Sequence, residues 1–187
     1  MKTEISPAKI ILETERLLLR EITPEDAEIM FALNADPEVI RYTGDEAFES
    51  VAAAKHFLEE YRQVYRDYGY GRWGVVLKDN GTLVGWCGLR RYKKDEDADL
   101  GFRFFRKDWG KGYASESAMA CVKYGIYELN LPNITGRARV ENVASLRVLE
   151  KCGLKKSGEG EDCGGKIFIY ELFPGRSGQL PACSDCR

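Results

Sequence analysis

The apolar residues of this chain change spacing several times, and each change marks a new element. Arg16 to Ile22 (R-L-L-L-R-E-I) is a short apolar run that predicts a strand. Thr23-Pro24-Glu25-Asp26 follows it. Thr is a good N-cap, Pro suits the first helical position, and two acids suit the positive end of a helix dipole. A helix is therefore predicted from about Pro24 to Asn34, ended ahead of Pro37, whose ring disfavours helical geometry in the residue before it. Ser50 then caps a longer helix, in which Val51, Ala54, Leu58, Tyr61, Tyr65 and Tyr68 recur at three- and four-residue spacings and share one face.

Past Gly69 the period shortens. Arg72 to Lys78 and Thr82 to Leu89 are apolar runs joined by Asp79-Asn80-Gly81, and Asn-Gly predicts a hairpin turn with both central residues at positive φ. Asp99 to Phe105 is a further strand. Ala114 to Leu129 returns to helical spacing, with Ala118, Val122, Ile126 and Leu129 on one face. Ile134 to Val140 reads as a strand, and Asn142 caps a helix to Cys152 that Gly153 ends in a left-handed cap. Leu154 to Ser157 and Lys166 to Phe173 are the last strands. Seven strands and four helices in this order predict α+β or mixed α/β architecture around one central sheet. The expected domain is 10–173, with an N-terminal extension at 1–9 and a loose tail at 174–187, where Gly, Pro and Ser replace apolar residues.

Composition narrows the function. The 28 basic and 30 acidic residues leave a net charge of −2, without the basic surplus of a general nucleic-acid binder. No apolar run approaches the ~18–20 residues that span a bilayer. Met1 to Lys9 has no apolar stretch like that of a secretory signal, so a cytoplasmic chain with no membrane partner is expected. The one histidine, His56, excludes His-rich metal sites and argues against a hydrolase triad built on His. Cys87, Cys121, Cys152, Cys163, Cys183 and Cys186 read as reduced thiols, because a chain of this length builds a core without disulfides. Cys183-x-x-Cys186 is half a zinc site at most, since zinc takes four ligands. A passive tail and no metal are expected. The oligomeric state is not legible, and a homodimer is left open.

Two glycine motifs bear on phosphate binding. Gly69-Tyr70-Gly71-Arg72-Trp73-Gly74 matches G-x-G-x-x-G, but it follows a helix and precedes a strand, the reverse of the dinucleotide order, and reads as a flexible joint. Trp109-Gly110-Lys111-Gly112-Tyr113-Ala114 follows a strand and opens a helix. First-turn N–H groups lack internal partners, and the helix dipole adds positive charge there. Two readings stay open: a phosphate cradle with Lys111 as an added cation, or a plain tight turn.

Three blocks then carry a resemblance. Leu12-Glu13-Thr14-Glu15-Arg16-Leu17-Leu18-Leu19-Arg20, then Trp109 to Ala114 with Glu116, then Glu141-Asn142 with Ser145 to Leu154, are similar to the GNAT N-acetyltransferases, in the RimJ/RimL-like branch whose founding members acetylate ribosomal-protein N-termini. The resemblance implies a twisted mixed sheet that splays open near its middle, with acetyl-CoA in the gap. It implies that backbone groups of Phe102, Arg103 and Phe104 pair with pantetheine, that Trp109, Gly110, Lys111, Gly112, Tyr113 and Ala114 hold the pyrophosphate, and that Asn142 sits near the thioester. The loop opens on Trp109 where many members have Gln or Arg. Leu149 stands where many have a Tyr that protonates the leaving thiolate, and Ser145 matches a Ser used in the resembled branch.

Acetyl transfer needs a neutral amine, a polarised thioester carbonyl and a proton for the thiolate. Strand N–H groups near Phe102 and Arg103 are candidate oxyanion donors. Ser145 is the candidate acid, or else a helix residue bonding backbone. Asp99 is the candidate base, or else a solvated strand-end charge. About a quarter of α-amines but only about one lysine in a thousand are neutral at pH 7.4, so a site without a strong base suits an α-amine. Asp45 and Glu46, Asp95 to Asp97, and Glu159, Glu161 and Asp162 either attract a cationic amine or are simply solvated loop charges. The sequence thus predicts acetyl transfer from acetyl-CoA to a primary amine, with a protein or peptide N-terminus ahead of a small cationic amine. The alternative is a catalytically silent acyl-CoA-binding module of the same fold.

Overall fold

The computed structural model describes residues 8–92, 97–162 and 164–173. Its strands are β1 (Ile10–Glu13), β2 (Leu17–Glu21), β3 (Arg72–Leu77), β4 (Leu83–Arg90), β5 (Ala98–Phe104), β6 (Ile134–Arg139), β7 (Lys155–Asp162) and β8 (Gly165–Leu172). The helices are α1 (Ala27–Ala35), α2 (Pro37–Ile40), α3 (Val51–Tyr68), α4 (Tyr113–Tyr127) and α5 (Val143–Lys151). The sheet order is β1-β2-β3-β4-β5-β6-β8-β7. The tail with its Cys183-x-x-Cys186, residues 1–7, Cys163, Asp95 and Glu96 lie outside the described residues.

Eight strands and five helices replace the expected seven and four. β1 is too short to show a period and exists by pairing with β2. Pro37 ends α1 as expected but also starts α2, because Asp36 accepts a hydrogen bond from the Glu38 N–H at 3.0 Å. β7 runs on to Asp162 although its outer half is polar, since it is an edge strand held by its register with β8.

Two turn readings are corrected. At Asp79-Asn80-Gly81 only Gly81 takes positive φ, at 72°. The Gly81 N–H reaches the Leu77 carbonyl and Asn80 Oδ1 accepts from the Thr82 N–H, so the turn is wider than a two-residue hairpin. The Gly69–Gly74 stretch is no flexible joint. Gly69 caps α3 at φ 75°, Tyr61 and Tyr65 pack over Gly71, and a β-carbon on Gly74 would run into Leu83.

The sheet has two differently covered faces. Leu17, Leu19, Trp73, Val75, Cys87 and Leu89 face the α4 side, where Cys121 meets Cys87 and Tyr124 meets Trp73 edge-on. On the other side α3 and α1 enclose a second apolar cluster that includes Met30, Leu33, Ala54 and Leu58. Burial pushes the Cys152 thiol well above its ordinary pKa, which keeps it protonated and inert.

The feature that makes a site is the parting of β5 from β6. They pair in parallel only at Ala98↔Ile134 and Asp99↔Thr135. Beyond Asp99 this edge of β5 has no strand beside it among the described residues. The β4–β5 register and the bond from the Phe105 N–H to the Val84 carbonyl turn the Arg103 backbone toward β4. The backbone groups of Phe102 and Phe104 therefore face the gap.

Candidate active site

The cofactor side is built from the turn after β5. Gly110 and Gly112 take φ of 75° and 84°, which other residues adopt only at a cost. They bring the chain into α4 with the N–H groups of Tyr113, Ala114 and Ser115 unpaired within the helix. The Glu116 N–H is the first to bond inward, to the Gly112 carbonyl at 3.0 Å. A cavity of about 660 Å³ opens onto Gly110, Gly112, Tyr113, Ala114 and Ser115, with Arg41, Arg147 and Lys151 around it. Open N–H donors, glycines and three cations fit a pyrophosphate-bearing group.

Lys111 does not supply the expected cation to this cavity. Its ammonium bonds buried Asp108 at 2.7 Å, and that hydrogen bond raises its pKa. Trp109 is half-exposed and its Nε1 donates to the Phe104 carbonyl at 2.8 Å, which ties the loop to the open edge of β5.

The first resemblance block holds this loop in place. Glu116 accepts from Thr14 Oγ1 at 2.6 Å, from the Arg16 N–H at 3.0 Å and from Arg16 Nε at 2.7 Å. Arg16 also donates to the Lys111 carbonyl at 3.0 Å and stacks on Tyr113. Burial pushes the Glu116 carboxyl up, but the bonds from Thr14 and Arg16 outweigh it and hold the carboxyl below its ordinary range. A depressed folded pKa gives stability that is complete above the unfolded value of about 4.3 and is lost as pH falls through the folded one. Glu116→Gln is therefore expected to lower Tm by about 2–4 °C at pH 7, by an amount that shrinks as pH falls below the unfolded value, read by thermal melts over a pH series.

A second cavity, of about 590 Å³, is the candidate acceptor side and meets the first at Tyr42, Thr43, Phe102, Arg103, Asn142 and Ser145. Asn142 caps α5, its Oδ1 accepting the Ser145 N–H at 3.2 Å. The Ser145 hydroxyl makes no hydrogen bond among the described residues, so it is not a side chain bonding backbone. Leu149 also lines the acceptor cavity, packed where any side chain on Gly136 would collide with it.

Asp99 is not a solvated strand-end charge. It is buried, bonded through Oδ2 to Arg72 Nη2 at 2.7 Å, with Arg137 Nε 3.7 Å from Oδ1. Arg72 also donates to the Gly88 and Asp99 carbonyls, and a β-carbon on Gly101 would collide with its guanidinium. Arg103 bonds Asn34 and Asp45, and Trp86 lies under both Arg103 and Arg72. Asp162 bonds Arg139 at 2.7 Å. Of the loop carboxylates read as either attracting a cationic amine or simply solvated, several are engaged: Glu159 is bonded to Lys156, and Asp97 accepts from Asn133. The sequence reading missed Tyr42, Arg72, Arg137 and Arg139. The available signal for the last two was Arg137-Ala138-Arg139, two guanidiniums on one face of a strand. His56 sits on α3 against Glu60, away from both cavities. No cluster of potential metal ligands is found among the described residues.

Residues 16–155 match the family model described as Acetyltransferase (GNAT) domain. The chain belongs to the GNAT acetyltransferase family. It is an acetyl-CoA-dependent N-acetyltransferase. Among its relatives is an uncharacterized N-acetyltransferase, YoaA of Bacillus subtilis, 37% identical over 149 residues, which cover 79% of this chain and 84% of the relative. Another is an uncharacterized N-acetyltransferase, p20 of Bacillus licheniformis, 30% identical over 166 residues, or 87% and 93% of the two chains. The crystal structure of a GNAT-family acetyltransferase from Bacillus anthracis superposes with a TM-score of 0.75 at 28% identity, covering 87% of this chain and 97% of that one. No helix among the described residues is long and apolar enough to cross a membrane.

Proposed function

We propose that this acetyltransferase, with residues 10–173 as its catalytic unit, moves an acetyl group from acetyl-CoA onto an α-amine. That is the acceptor type of the ribosomal-protein N-terminal branch which its sequence blocks resemble. The observation that carries this reading is the state of the acceptor cavity's carboxylates. Asp45, Asp99 and Asp162 line it, and all three are bonded to arginines. None is free to act as the strong base that a lysine ammonium needs. An α-amine needs little help, because a sizeable fraction is already neutral near pH 7.

Acetyl-CoA supplies the acetyl group as a thioester. Trp109 to Ala114 hold its pyrophosphate through the open N–H groups at the start of α4, and the Phe102 and Phe104 backbones receive the pantetheine arm. The Phe102 N–H is the donor for the carbonyl oxygen as charge develops on it. The neutral amine attacks the thioester carbon, the C–S bond breaks as the Ser145 hydroxyl gives its proton to the departing sulfur, and the proton shed by the acylated nitrogen returns to that oxygen through water; Asn142 fixes the turn that presents Ser145. Asp99 holds Arg72, which makes it a positioning residue.

The test compares a peptide with a free N-terminus and no lysine against an N-terminally blocked peptide with one lysine, by thiol release at pH 7.4. The neutral-amine fractions predict a kcat/KM about a few hundredfold higher for the free N-terminus. Equal values would mean that a base outside the ion pairs is at work, and the reading fails. Acetyl-CoA binding without thiol release on any amine favours the silent module instead.

A further inference from the structure

The acceptor cavity is lined by four arginines, Arg72, Arg103, Arg137 and Arg139, against three aspartates. A cavity built only for an ammonium would carry the opposite balance. These guanidiniums do not line the cofactor's phosphate end, where Arg41, Arg147 and Lys151 already stand; Arg103 alone reaches both cavities. Arg137 and Arg139 alternate with Ala138 on β6 and so point from the same face, on the stretch that β5 has left. Arg139 is buried, with one ion pair to Asp162 and its Nε without a partner. Arg137 is about half exposed, and its one ion pair among the described residues is the loose 3.7 Å approach to Asp99. A buried guanidinium whose Nε lacks a partner, beside a solvent-facing one, is suited to a planar anion, which two such groups grip through several N–H bonds.

We propose that the acceptor amine carries a carboxylate, and that Arg137 with Arg139 binds it on the β6 wall of the acceptor cavity. This rests on the reading of the site as acetyl transfer to an α-amine, and it names the chemistry of that acceptor. The carboxylate lies close to the amine, either as the α-carboxylate of a free amino acid or as an acidic side chain at the start of a peptide. Binding it turns the cavity's positive surplus from a repulsion for the ammonium into an attraction for the acceptor as a whole.

The experiment uses the full chain and four probes: free glutamate, glutamate with both carboxyls as amides, Glu-Ala-Ala amide and Gln-Ala-Ala amide. Each is assayed by thiol release with saturating acetyl-CoA. A KM at least tenfold lower for free glutamate than for its amide is expected if the source is a free amino acid. The same ratio between the two peptides is expected if it is an N-terminal acidic residue. Arg137→Gln should raise the KM of the preferred probe about tenfold and so erase its advantage over the amide, while Arg137→Lys keeps part of it. Equal KM values across both pairs overturn the carboxylate site and leave acetyl transfer standing. No thiol release with any probe, while the lysine-free peptide with a free N-terminus is acetylated, overturns the carboxylate site alone; no release with that peptide either, alongside calorimetric binding of acetyl-CoA, overturns both. A wild-type preference that survives Arg137→Gln unchanged overturns the assignment to Arg137.

Discussion

Asp99→Ala is expected to destabilise the protein by about 3–5 kcal/mol, because it leaves the Arg72 guanidinium charged and buried without its counter-ion. For a chain of this size that lowers Tm by about 10 °C. The reason is the enclosure of the pair: both residues are nearly inaccessible, Gly101 makes room for the guanidinium, and Tyr61 and Tyr65 bond the Arg72 backbone. The double variant Arg72→Met, Asp99→Ala removes both charges and is expected to lose less than the sum of the single changes by about 1–3 kcal/mol. Thermal or urea unfolding of the three variants checks this. Simple additivity would mean that the pair does not hold the wall of the cleft.

Ser145→Ala is expected to reduce kcat by about a hundredfold or more with little change in the KM for acetyl-CoA, the pattern of a lost proton donor. The residue stands where the two cavities join, its hydroxyl has no competing hydrogen bond, and the loss of a small exposed-side hydroxyl leaves the cap of α5 intact, since Asn142 bonds the Ser145 backbone and not its side chain. Steady-state thiol release reads the effect. A loss under threefold would move the acid to another hydroxyl at the junction, with Tyr42 next in line.

Most of the fold was legible because its long elements carry a clear period. The α3 face from Ala54 to Tyr65, the α4 face through Ala118 and Val122, and the caps at Ser50, Asn142 and Gly153 all follow local rules that the structure obeys. What escaped was set by pairing at the margins. β1 and the polar half of β7 owe their strand geometry to neighbours, and a period cannot show a partner. The glycine turn that opens α4 was readable for the same reason as the helices: glycines and a helix start are local. The acceptor cavity was not, because its character lies in ion pairs between distant segments. Arg72 meets Asp99, Arg103 meets Asp45 and Arg139 meets Asp162 only after the sheet has formed. Counting acids in loops left cation attraction and plain solvated charge both open, because it could not show that Asp45 and Asp162 are paired with arginines.

Acetyl transfer to an α-amine at the junction of the two cavities is tested by mass spectrometry of products after the full chain is incubated with acetyl-CoA and a mixed library of amino acids, N-terminally free peptides, lysine peptides and polyamines. A single acetyl group on α-amines is expected, led by acceptors with a nearby carboxylate. Acetylation confined to lysine side chains or polyamines would contradict it.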